Sequence, residues 1–117
     1  KPFVTETQTL TAECWSRFGP DQQLLMIANE MHRGLHSMSF EQRPSLQLVY
    51  ERVLHMLGLT AQGNLSRNER REILRWKEVV GQLYLAEQSD PTQHREALRV
   101  LLQMRPALAG QIGPLGL

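Results

Sequence analysis

Residues 64–88 read NLSRNERREILRWKEVVGQLYLAEQ, and this stretch decides the fold class. Ser66 and Glu69 form an S-x-x-E capping box, with Gly63-Asn64 supplying the turn before it. At about 100° per residue, Ile73, Trp76, Val80, Leu83 and Tyr84 share one sector, with Val79 at its edge. The reading is one long amphipathic helix from Ser66 to about Gln88, with Trp76 in its core face.

Working outward, the rest of the chain has the same period. After Gly19, which can cap, Pro20 at the first helical position and Asp21 in the first turn open a helix that runs to about Met38. Its Leu24, Ala28, Met31, Leu35 and Met38 recur three or four apart, and Ile27 widens the stripe. A short helix over Leu10–Phe18 precedes it. Ser39 and Gln42 have capping-box spacing, but Pro44 favours a start at Ser45 for the next helix, which runs to Leu57. Gly58 suits the left-handed position after that helix, and Leu59 can fold back onto Leu54. Asp90-Pro91, with Gln93 three residues on, begins a last helix that stops before Pro106.

No window alternates with period two over more than a few residues, and there are no internal repeats. The expected architecture is all-α, an irregular helical bundle of four principal helices plus a short N-terminal one. The 117 residues suit a single domain, with a flexible arm at 1–8 and a flexible tail at 106–117, where three glycines and two prolines fall in twelve residues.

Thirteen basic residues against twelve acidic ones give a net charge of +1, without the basic excess of a dedicated nucleic-acid or membrane-surface binder. One cysteine, Cys14, cannot form an intrachain disulfide, so a cytoplasmic location is the expectation. The longest apolar run, Leu24–Ala28, falls far short of the ~20 residues of a membrane span. No signal-peptide pattern opens the chain, although a start at Lys1 leaves room for residues trimmed upstream.

Little here carries catalytic chemistry. His32 and His36 stand four apart, a spacing that lets two imidazoles share a metal on one helix face. Arg33 follows the first of them where H-E-x-x-H would place its base, and no further ligands lie at a recognisable spacing. The two histidines therefore read as solvated, and no metal or cofactor is expected. Cys14, beside Trp15 and without a resolving partner, reads as a buried structural cysteine. Without a phosphate loop or a G-x-S-x-G elbow, the expectation is a non-enzymatic protein.

The remaining signal is the far side of the 64–88 helix. Arg67, Arg71 and Arg75 stand at i, i+4 and i+8, interleaved with Glu78, and Glu72 can pair with Arg75. Leu74 and Leu85 project about 100° to 120° from Ile73, and Gly81 near the same meridian permits close backbone approach. Leu48, Leu25 and Met26 also fall outside their helices' core sectors. The apolar sector of the last helix, formed by Ala97, Leu98, Val100, Leu101, Leu102 and Met104, spans about 200°.

This pattern predicts an association surface, with Arg71, Arg75 and Glu78 around an apolar centre of Leu74 and Leu85 beside Gly81, and a homodimer. The alternative is a small DNA-binding module using the Arg67/Arg71/Arg75 face. The eight residues 58–65 between the third and fourth expected helices are long for a helix-turn-helix connection, which makes nucleic acid the less favoured partner.

At the stretch ILRWKEVVGQLYLAEQ (73–88), and in its length, the chain resembles the small all-helical bacterial anti-activators of quorum-sensing transcription factors, of the QslA type. That resemblance implies a non-enzymatic regulator that binds and sequesters a LuxR-type activator while self-associating. It assigns no role to any single position.

Overall fold

The computed structural model describes residues 10–117, so the N-terminal arm expected at 1–8 lies outside the described residues. The described chain folds into six α-helices without a strand: α1 (Ala12–Trp15), α2 (Pro20–Gly34), α3 (Arg43–Ala61), α4 (Arg67–Leu85), α5 (Pro91–Gln103) and α6 (Pro106–Ala109). Two 3₁₀ turns, Leu35–Ser37 and Phe40–Gln42, link α2 to α3. In the packing, α3 lies between α2 and α4, and α5 crosses α2 and closes on α4. This is the all-α bundle that the periodicity predicts.

Several helix boundaries differ from the sequence reading: α1 is shorter than the expected Leu10–Phe18, and the ends of α2, α3 and α4 move for tertiary reasons. The second helix ends at Gly34 rather than Met38. A Cβ at Gly34 would lie 3.0 Å from His94 Cε1 and 3.2 Å from Val49 Cγ1, so α3 and α5 approach its backbone more closely than a side chain permits. Leu35 and Met38 still pack against the core from the turns that follow. The third helix begins at Arg43, with Pro44 tolerated in its first turn, and continues through Gly58 to Ala61. Gly58 is therefore interior and not a C′ residue. Its cost of about 1 kcal/mol is outweighed because the extra turn buries Thr60, whose Oγ1 accepts a 2.8 Å hydrogen bond from Trp15 Nε1. Ser39 forms no backbone cap; its hydroxyl donates to Gln42 Oε1.

The capping box of α4 forms as expected: Ser66 Oγ accepts from Glu69 N and Ser66 N donates to Glu69 Oε1, both at 3.1 Å. Its other end comes earlier than Gln88 because Arg43 donates to the carbonyls of Leu83, Tyr84 and Ala86 there. Asp90 caps α5 as predicted, Oδ1 accepting from Gln93 N at 3.0 Å.

Residues 106–117 do not form a loose tail. Leu108 is buried, Ile112, Leu115 and Leu117 pack against the core, and the Leu115 carbonyl lies 3.2 Å from His32 Nε2. Apolar contact offsets the turn-rich composition of this segment.

A buried polar pair sits at the centre. His94 Nε2 lies 2.6 Å from the Met31 carbonyl, and His94 Nδ1 lies 2.7 Å from the Tyr50 hydroxyl. A carbonyl only accepts, so Nε2 carries the hydrogen and Nδ1 accepts from Tyr50. One imidazole thereby joins α2, α3 and α5. Glu30, itself buried, makes a 2.6 Å ion pair with the half-buried Arg52, which ties α2 to α3 again.

Candidate functional site

The outer face of α4 is built by its own periodicity. With Ile73, Trp76, Val80 and Leu83 buried, Arg67, Arg71, Leu74, Glu78 and Leu85 fall on the opposite side within about 60° of one another. Leu74 is 46% exposed and Leu85 79% exposed, so both apolar side chains face solvent on the side away from the core. Arg71, Leu74, Arg75 and Glu78 line one shallow cleft of about 500 Å³ together with Arg67 and Arg70. The structure thus brings together four of the six expected site residues. Gly81 and Leu85 lie further along the helix, Leu85 about 16 Å from Leu74. A Cβ at Gly81 would meet nothing within 4 Å, so its open side faces solvent.

The arginines of this cleft differ in their availability. Arg70 is occupied, its Nε donating to the Ala61 carbonyl and its Nη2 to the Gly63 carbonyl, both at 2.8 Å. It closes the C-terminal end of α3, a role the sequence did not reveal. Arg75 makes a 3.6 Å pair with Glu72 between two exposed side chains, which water screens. Arg67 and Arg71 are exposed and have no ion pair among the described residues.

All of these cations except Arg75 occupy the first turns of α4, where the helix dipole is already positive. Glu69, the first-turn acid, is held below its ordinary range by the Ser66 backbone hydrogen bond, so it stays charged as a partial counterweight. The rest of the field faces solvent, where it favours an anionic surface.

No family model, curated protein or solved structure matches this chain. The assignment of the face therefore rests on its geometry and chemistry.

Several expected features resolve differently. The wide apolar sector of α5 is covered within the chain: Leu98, Leu101 and Leu102 are fully buried, and only Val100 is substantially exposed. Leu25 and Met26 pack against the core, whereas Leu48 is exposed as its helical phase requires. Phe40, in the second 3₁₀ turn, is 90% exposed and lies in no periodic segment of the sequence.

Cys14 is exposed rather than buried. On the four-residue α1, Trp15 takes the inward position because it buries the larger apolar area. The His32 and His36 rings lie 6.1 Å apart edge-on, and among the described residues no group of three His, Cys, Asp or Glu is placed to hold a metal ion. Nor is any described helix long and apolar enough to cross a membrane.

Proposed function

We propose that this chain is a non-enzymatic, protein-binding regulator that docks its partner on the outer face of α4. The observation that carries the reading is the exposure of Leu74 amid Arg67, Arg71 and Arg75, an apolar contact with a cationic rim. The complementary surface is an apolar patch flanked by carboxylates. In line with the resemblance to QslA-type anti-activators, the partner class we propose is a LuxR-type transcription factor, sequestered by direct contact.

Leu74→Asp is expected to reduce partner binding by at least about 2 kcal/mol, because it places a charge in a desolvated patch. Its effect on the fold should be small, since Leu74 faces away from the core. Arg71→Ala is expected to cost about 0.5 to 1 kcal/mol, mainly as a slower, salt-sensitive association. Affinity capture from the native host with wild-type and Leu74→Asp baits, followed by titration of the protein they distinguish, measures both. A Leu74→Asp variant that keeps its helical circular dichroism and binds normally would rule out this face.

A second reading has one observation in its favour. With α3 extended to Ala61, the connection to α4 is Gln62–Ser66, five residues rather than the expected eight, and closer to a helix-turn-helix connection. If the face binds DNA, the ranking reverses: the arginine substitutions dominate and affinity falls steeply with salt.

A further inference from the structure

A second concavity lies on the opposite flank of α4, where α4, α5 and the start of α2 meet. Its volume of about 410 Å³ falls in the range of roughly 300 to 1,000 Å³ typical of small-ligand sites. Leu24 and Ile73 form a buried floor, and Leu65, Val100 and Met104 form apolar walls. Val100, 40% exposed, is the one substantially exposed apolar residue of α5, so its exposed surface belongs to this cavity rather than to a flat face.

The polar groups at the rim define what the cavity accepts. Arg105, the only cation lining it among the described residues, is engaged on both sides, bridging Asp21 of α2 and Glu69 of α4. Glu69 is in turn occupied by Arg105 and by the Ser66 backbone N–H. Glu72 is different: it is exposed, and its one ion pair is the 3.6 Å contact with Arg75. An anionic ligand would meet two carboxylates and no free cation. A ligand with an apolar body and a positively charged head would place the body on Leu24 and Ile73 and the head at Glu72. Asn68 and Gln103 are available for further hydrogen bonds.

We propose that this cavity is a binding site for a small amphipathic amine, with Glu72 as the residue that recognises the ammonium group. The site is separate from the Arg71–Leu74 cleft, and its occupancy is read without reference to any protein partner.

Three probes of similar length and one apolar body test the assignment by amide NMR on the full chain: 4-phenylbutylamine, 4-phenylbutanol and 4-phenylbutanoate. The amine is expected to bind saturably, shifting the amide signals of Ile73, Val100 and Met104. The alcohol should bind about threefold more weakly, as loss of one exposed ion pair implies, and the acid more weakly still. Glu72→Gln should lower the amine's affinity to that of the alcohol and leave the alcohol unchanged. Val100→Trp, which fills the cavity from its exposed wall, should remove binding of all three. The proposal is overturned if the amine gives no saturable shift, or if the three probes bind equally. It is also overturned if Glu72→Gln leaves the amine's preference intact. Because Glu72 is exposed and outside the core, that variant decides the matter even if Val100→Trp does not fold.

Discussion

Replacing Trp76 with alanine is expected to destabilise the protein by about 3 to 5 kcal/mol, measured as a shift in the denaturant midpoint with an unchanged slope. Trp76 is 3% exposed at the centre of α4, and its Nε1 donates a 2.8 Å hydrogen bond to the Ala97 carbonyl. The substitution removes a large apolar side chain and leaves a buried helix carbonyl with less satisfaction, so both terms act in one direction. Trp76→Phe separates them: it keeps most of the ring volume, loses the donor, and should cost about 1 to 2 kcal/mol. A loss below about 1 kcal/mol for the alanine variant would mean that the centre of the bundle repacks freely.

The second large effect is expected at His94. His94→Ala removes a fully buried ring and leaves both the Tyr50 hydroxyl and the Met31 carbonyl without their partner, for a loss of about 3 kcal/mol. The same pair sets the pH dependence of stability. Burial, with a smaller contribution from Arg95, lowers the His94 pKa, although the Met31 hydrogen bond opposes the shift. The unfolded chain therefore binds a proton near pH 6.5 that the folded chain refuses, and stability falls as the pH drops below that value toward the depressed folded pKa.

Tyr50 acts at the other end. Burial raises its pKa from 10.0 to about 12, against an opposing field from Arg43 and with a smaller contribution from Asp90. Its contribution is complete below pH 10 and is lost as the pH rises through the folded value. Urea midpoints across pH 5 to 11 should show a plateau between these limits, and His94→Ala should flatten its acid edge.

The parts of the fold that were legible in the sequence are those set by neighbours along the chain. The Ser66–Glu69 box and the Asp90–Gln93 cap each lie within four residues, and the inward sector of α4 follows from a 3.6-residue period. The ends of α2 and α3 were not legible, because their causes are elsewhere. Gly34 is constrained by His94 and Val49, and the last turn of α3 is favoured by Trp15, 45 residues from Thr60.

The same division holds for the candidate site. The exposure of Leu74 and Leu85 follows from phase alone. The occupation of Arg70 by the carbonyls at the end of α3, and the covering of α5, depend on how the helices meet. His94 lies in the first turn of α5, where the sequence carries no sign of its burial, because its partner Tyr50 is 44 residues away.

The bridge from Arg105 to Asp21 spans 84 residues, and the contact of Leu115 with His32 spans 83. During synthesis, the start of α2 leaves the ribosome long before the residues that secure it. At about 5 to 20 residues per second, α2 waits on the order of 4 to 17 seconds for Arg105 to be made. For most of that interval Leu24, Ile27 and Met31 lack the cover that α5 and the C-terminal segment later give them, so a nascent chain of this protein presents the apolar face of an amphipathic helix to whatever chaperone stands at the exit.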